Sequence, residues 1–133
     1  MTDLVFFYGT LMSGFKRPGR SKIDPKLTAV GRGSIQATLF DLGIYPAAIP
    51  APDGRVLGEV HRMTDADGVL AALDEIEGYR PGQPDTSLYT RLETPVTFDD
   101  GHVEPAWAYF YNAPLGRAQR IASGDYLEHL KVK

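Results

Sequence analysis

Residues 64–79 carry a helical signature with both ends marked, and they constrain the chain more than any other stretch. Thr64 is placed as the N-cap, with Asp67 three residues on as a loose capping box, and Gly78 occupies the position after the last turn. At about 100° per residue, Ala66, Val69, Leu70, Leu73 and Ile76 form one apolar face. Elsewhere the chain is punctuated by fourteen Gly and ten Pro among 133 residues, which favours short strands and turns over a helical bundle. A mainly β chain with one clear helix packs naturally as a small barrel or strongly curled sheet. The length suits one domain, residues 1–133, around one core.

The strand signals run in order. Leu4-Val5-Phe6-Phe7-Tyr8 is a continuous apolar run that reads as a buried strand. Gly9 to Gly33 is loop-rich, with a short helix around Ser21 to Leu27. Ala29 to Leu39 reads as one strand, with Gly31 and Gly33 marking a bulge or a close backbone approach. Ile44 to Pro50 has prolines at both ends of its core and suits an edge strand or extended loop. Asp53-Gly54 marks a hairpin turn, and Val56 to Met63 follows as a strand. Tyr89 to Phe98 and Glu104 to Asn112 are strands joined by a hairpin at Asp99-Asp100-Gly101-His102. The tail from Ala113 is expected to wrap the body and end in a short helix over Asp125 to Leu130.

Composition removes several kinds of function. Apolar residues make up 43% and charged residues 23%, with a formal net charge of −3, ordinary values for a globular protein. The longest basic run is Lys16-Arg17, which argues against nucleic acid as a partner. No apolar stretch reaches the ~18 residues of a membrane span. The N-terminal Met1-Thr2-Asp3 lacks a leader pattern, so a cytoplasmic location is the default. Cysteine is absent, which excludes disulfides, thiol nucleophiles and thiolate metal sites. His61, His102 and His129 lack ligand spacing, and no metal site is expected. Gly9 to Gly14 has the glycine spacing of a P-loop, but Phe15 stands where the lysine belongs and no Ser or Thr follows. There is no Gly-x-Ser-x-Gly elbow. No cofactor is expected.

The chemistry narrows to a few groups. Glu77 falls inside the apolar face of the helix, between the directions of Leu70 and Leu73, whereas Glu75 falls opposite it. A carboxylate aimed at a core must be hydrogen-bonded, paired or protonated, and burial moves its pKa toward the range of a general base. Position alone leaves two fates open. Glu77 is either a surface carboxylate, curled to water or paired with Arg80 or Arg91, or a site carboxylate. Asp74 and Glu75 share its helix end, but only Glu77 is read as pointing inward, so a glycosidase-like acid pair lacks its second member. Tyr8-Gly9-Thr10-Leu11 follows the first strand. It is either a plain strand-ending turn or a nest of main-chain N–H groups that a ligand can approach closely. Trp107, Tyr109 and Tyr111 share one strand face, either as core packing with hydroxyls at the rim or as a tyrosine contact for a carboxylate or ammonium.

These pieces together resemble the γ-glutamylcyclotransferase-like family, also called AIG2-like. The resemblance is carried by Tyr8-Gly9-Thr10-Leu11, Tyr45-Pro46-Ala47-Ala48-Ile49, Gly58-Glu59-Val60, Leu73-Asp74-Glu75-Ile76-Glu77-Gly78-Tyr79, Tyr89-Thr90-Arg91 and the strand Ala106 to Asn112. In order and rough spacing these cover Leu4 to Asn112. The threonine-leucine form looks closer to the γ-glutamylamine cyclotransferase branch. The resemblance implies an α+β fold, a small mixed β-barrel with flanking short helices, with one cavity for a γ-glutamyl group. It implies release of 5-oxoproline from a small-molecule γ-glutamyl substrate by attack of the substrate's own α-amine, favoured by enforced proximity. Glu77 matches the family's essential glutamate and would act as proton shuttle. Gly9, Thr10 and Leu11 match its backbone cradle, and Tyr8, Tyr89 and Tyr109 join them as candidate substrate contacts. A departure is the long connection Arg80 to Leu88, with Pro81, Gly82 and Pro84, read as a surface insertion or as a lid over the leaving group.

Overall fold

The computed structural model describes residues 2–12, 19–43, 45–80, 82–83 and 87–132. Its strands are β1 (Leu4–Phe7), β2 (Leu27–Ile35), β3 (Ala37–Asp41), β4 (Pro46–Pro50), β5 (Val56–Met63), β6 (Tyr89–Phe98), β7 (Val103–Tyr111) and β8 (Gln119–Arg120). The helices are α1 (Arg20–Ile23), α2 (Ala66–Glu77) and α3 (Tyr126–Val132), with a 3₁₀ turn over Asp24–Lys26. Strands in the order β1-β5-β2-β6-β7 form a closed barrel, and β4-β3-β8 form a separate small sheet. The fold is therefore α+β, a mixed barrel with short flanking helices.

The barrel is stitched unevenly. β6 and β7 pair antiparallel along most of their length, from Tyr89↔Tyr111 to Thr97↔Val103. β1 pairs antiparallel with β5 and closes on β7 in parallel at Val5↔Trp107. β2 follows β5 from Leu27↔Met63 to Ile35↔Val56, with a bulge between Ala29 and Gly31. It meets β6 at Gly33↔Phe98 and Ser34↔Thr97. Both expectations for the two glycines hold: the bulge adjoins Gly31, and Gly33 is the close approach. A Cβ at Gly33 would lie 2.8 Å from the Thr97 carbonyl oxygen and 2.8 Å from Val96 Cγ1.

Val69, Leu70 and Leu73 of α2 are buried, and Ala66 and Ile76 are half-buried beside them. Burying each such large aliphatic side chain contributes about 1.5–3 kcal/mol. The helix begins later than its sequence signals indicate. Asp65, not Thr64, is the N-cap, and its side chain accepts from Gly68 N at 3.4 Å. Asp65 adopts a left-handed backbone with φ of 59°, a conformation its short polar side chain tolerates. Gly78 ends the helix at φ 70°, its N–H reaching back to Asp74 and Glu75.

Other boundaries shift for physical reasons. Ala29 to Leu39 is not one strand. It divides at Gln36 into β2 in the barrel and β3 in the small sheet, although the alternation of buried Ile35, exposed Gln36 and buried Ala37 runs straight through. Asp53-Gly54 does form a turn, with Gly54 N donating to Ala51 O at 3.1 Å. It joins strands of different sheets, so it is not a hairpin. β4 is an edge strand of the small sheet, as its prolines allow. The helix expected over Ser21 to Leu27 is α1 plus the 3₁₀ turn, with Leu27 already in β2. The tail wraps the body as expected but adds a strand its sequence did not announce: β8 pairs with β3 at Phe40↔Arg120 and Asp41↔Gln119. Ile121 N donates to Leu39 O at 2.8 Å, Leu57 N donates to Gly124 O at 2.8 Å, and His129 Nε2 meets Asp41 Oδ2 at 2.8 Å. The terminal helix runs one residue later at its start and two at its end than the sequence suggested.

Replacing Gly33 with Ala forces β2 away from β6 at their narrow seam. The expected loss of stability is about 1–3 kcal/mol in urea denaturation, the usual cost of overpacking. An unchanged midpoint would show that the seam is looser than the contacts indicate.

Candidate active site

The end of β1, the end of α2 and the start of β4 converge on one small recess. Its walls bring together Glu77, the cradle residues Gly9, Thr10 and Leu11, and the candidate contacts Tyr8, Tyr89 and Tyr109. Phe6, Phe7, Tyr45 and Pro46 complete the lining. A hollow where aromatic and apolar side chains meet a few converging polar groups is the usual form of a small-molecule site.

The turn after β1 is shaped by its neighbour. Met12 N donates to Gly9 O at 3.0 Å, folding Gly9 to Met12 into a tight bend. A Cβ on Gly9 would sit 2.5 Å from Pro46 Cγ and 3.0 Å from its Cδ, so only glycine lets β4 pack against the turn. From behind, Arg20 is buried and its Nε donates to Leu11 O at 3.0 Å. Desolvation lowers the Arg20 pKa, with the Glu59 charge opposing the shift. Nothing in the residues around Arg20 signals that this cation turns inward. Ser13 and Gly14, the end of the segment with P-loop spacing, lie outside the described residues.

Glu77 is buried, only 8% exposed, on the last turn of α2. Neither Arg80 nor bulk water claims it as the surface reading allowed, and Arg91 is committed elsewhere. Arg91 forks onto Asp74, Nε to Oδ1 at 2.8 Å and Nη2 to Oδ2 at 3.2 Å. Asp74 is itself buried, so Glu77 is not the only inward carboxylate of this helix end, a correction to the helical-wheel reading. The wheel missed it because Asp74 is turned toward the β6–β7 hairpin, a direction fixed by tertiary packing. Burial pulls the Arg91 pKa down, but the Asp74 hydrogen bond and charge outweigh it and the net shift is upward.

The tyrosine hydroxyls are mostly spent on structure. Tyr8 Oη donates to the Tyr109 carbonyl at 2.6 Å and accepts from Ala48 N at 3.4 Å, joining β1, β7 and β4. Tyr89 Oη donates to Pro46 O at 3.0 Å, and its ring meets Tyr111 edge-on at 5.3 Å. Tyr109 Oη donates to Asp74 Oδ1 at 2.6 Å. Burial, then the charges of Tyr89 and Glu77, push the Tyr8 pKa well up. Burial, then the Asp74 hydrogen bond and charge, raise that of Tyr109, with Glu77 adding to the shift. Trp107 and Tyr111 lie outside the recess; Trp107 instead stacks under the Arg91 guanidinium at 4.6 Å.

The histidines stand apart from the recess. His61 meets Glu59 at 3.1 Å, and His102 sits between Asp100 and Glu104. Among the described residues no group of three or more His, Cys, Asp or Glu side chains could hold a metal ion. None of the described helices is long and apolar enough to cross a membrane. In the Arg80 to Leu88 connection, Pro81 and residues 84–86 lie outside the described residues, so its reading as lid or insertion falls largely there. Its described end is anchored, with Ser87 Oγ accepting from Arg80 N at 2.8 Å and Asn112 Nδ2 donating to Ser87 O at 3.1 Å.

Residues 5–128 match the family model described as γ-glutamyl cyclotransferase, AIG2-like. The chain is 34% identical over 128 residues to the γ-glutamylcyclotransferase family protein YtfP of Escherichia coli K12, covering 96% of this chain and 98% of that protein. The solution NMR structure of ytfP from E. coli superposes with a TM-score of 0.65 at 30% identity, covering 95% of this chain and 97% of that one. The crystal structure of YkqA from Bacillus subtilis superposes with a TM-score of 0.72 at 24% identity, a likeness of fold. It covers 99% of this chain, which spans only 42% of the length of YkqA.

Tyr8 and Tyr109 keep their protons in the folded state above the ordinary phenol range. The unfolded chain releases them near pH ~10, so the stability they contribute is full below that pH and declines as pH rises above it. Phenolate absorbance during alkaline titration should show Tyr8 and Tyr109 ionising only as the protein unfolds. Full ionisation of every tyrosine in a still-folded protein would contradict the buried geometry.

Proposed function

Because this chain belongs to the γ-glutamyl cyclotransferase, AIG2-like family, we propose that it cyclises a small γ-glutamyl amine or peptide to 5-oxoproline and a free amine. The observation that carries this reading is the burial of Glu77 in the same recess as the Gly9–Leu11 turn. A carboxylate and a main-chain turn then line one hollow, and N–H groups of that turn are the donors this reading assigns to the substrate's negative charge.

In this reading the recess holds the γ-glutamyl group folded, with its α-nitrogen against its own γ-carbon. Positioning of this kind replaces a bimolecular encounter with an intramolecular one. Glu77 takes a proton from the α-ammonium, which frees the lone pair for attack. The new N–C bond forms as the γ-carbonyl oxygen gains negative charge, and N–H groups of Gly9, Thr10 or Leu11 stabilise that oxygen or hold the α-carboxylate. The bond to the leaving nitrogen then breaks. Both protons shed by the α-nitrogen depart on the leaving amine, relayed by Glu77. Phe6, Phe7 and Pro46 line the same hollow, and apolar walls strengthen these interactions.

Incubation with γ-glutamyl dipeptides and γ-glutamyl-lysine derivatives should release 5-oxoproline, measured by chromatography. Glu77→Gln should lower turnover by about 10²–10⁴-fold, the usual share of a general acid–base group, while circular dichroism shows an intact fold. Binding of 5-oxoproline without turnover across the panel would instead mark a non-catalytic binding module. Turnover that survives in Glu77→Gln would refute the proton shuttle.

A further inference from the structure

Asp74 and Glu77 lie three residues apart on α2, so they project from the same side of the helix. Their surroundings differ. Both oxygens of Asp74 accept from the Arg91 fork, and Oδ1 also accepts from Tyr109 Oη at 2.6 Å. Arg91 is in turn seated against the Trp107 ring, so the clamp is held on two sides. A carboxylate met by guanidinium donors at both oxygens can only accept from a third partner. The Tyr109 hydroxyl has one proton, and it is directed at Asp74. Tyr109 and Glu77 line the same hollow, and the Glu77 charge bears on the phenol, so with its proton on Asp74 the hydroxyl has lone pairs left to offer a ligand there. Burial and Asp74 keep the phenol protonated, so it is no rival base to Glu77.

We propose that Asp74, held by Arg91, is a positioning residue that fixes the Tyr109 hydroxyl as a hydrogen-bond acceptor for the substrate's α-amino group. This rests on the cyclotransferase reading of the recess and names which wall receives the amine. An ammonium has three N–H donors. Glu77 accepts one and Tyr109 another, so the nitrogen stays held after Glu77 has removed a proton. Tyr8 has less acceptor capacity left to offer, because its hydroxyl donates to Tyr109 O and already accepts from Ala48 N. In Asp74→Ala the Tyr109 hydroxyl loses the oxygen that accepts its proton, so the phenol is free to turn that proton into the recess, where it opposes an ammonium.

L-Glutamate and glutarate differ only in the α-amine and contain no cleavable γ-amide, so their affinities isolate the amine contact. Calorimetry should show that the wild type prefers L-glutamate. Tyr109→Phe and Asp74→Ala should each cut that preference roughly tenfold or more, the worth of a hydrogen bond to a charged group. Glutarate affinity should be unchanged, and the double variant should lose no more than Tyr109→Phe alone. A merely structural Asp74 would weaken both ligands alike. The inference is overturned if Asp74→Ala keeps the preference, or if the wild type turns over γ-glutamyl amines yet shows no preference. If Asp74→Ala does not fold, Tyr109→Phe alone decides, and an undiminished preference there overturns the inference. Absence of turnover on every γ-glutamyl amine tested, with the preference present and lost in the variants, would refute the enzymatic reading and leave the amine contact standing.

Discussion

A carboxylate on the last turn of a helix is presented only as well as that turn is docked. Here the docking is ionic. Asp74, one turn before Glu77, is clamped by Arg91 of β6 and reached by Tyr109 of β7. Taking these charges out of water is costly, and a buried pair is poor evidence for stability. Its geometry, however, is directional where apolar packing is not. Val69, Leu70 and Leu73 hold α2 to the barrel, and the Arg91 fork sets how far along and how rotated the helix sits. Glu77 inherits that setting.

The opposite wall is held by a different device. The small sheet has no core of its own and leans on the barrel through tyrosine hydroxyls. Tyr8 reaches from β1 to the main chain of β7 and β4, and Tyr89 reaches from β6 to Pro46. The prolines of β4 remove main-chain donors, so side-chain hydroxyls supply the bonds that a longer ladder would have provided. Gly9 leaves room for Pro46 to close in. The recess is thus the gap left where two sheets meet, and it is lined by the groups that join them.

Much of this was legible in the residues. Val56 to Met63 and Tyr89 to Phe98 are strands at the boundaries their alternation indicated, and Glu77 is buried where a helical wheel puts it. The candidate contacts share one recess because turn and helix-end chemistry is local. What was not legible is tertiary in origin. The division at Gln36 has no glycine or proline to mark it, since a strand that changes sheets keeps its alternation. β8 is two residues of exposed polar character, paired only because the tail passes β3. Asp74 and Arg20 are polar residues whose inward orientation depends on partners far away in sequence, and periodicity along one element carries no trace of them.

The order of strands around the barrel has a consequence for synthesis. β1 lies between β5 and β7, so the first strand made completes its pairing with nearly the last. Until residues 103–111 have emerged, one edge of Leu-Val-Phe-Phe is an open row of main-chain donors and acceptors flanked by apolar side chains. The nascent protein carries this apolar segment with an unpaired edge until β7 is made, and the parallel pairing of Val5 with Trp107 closes it.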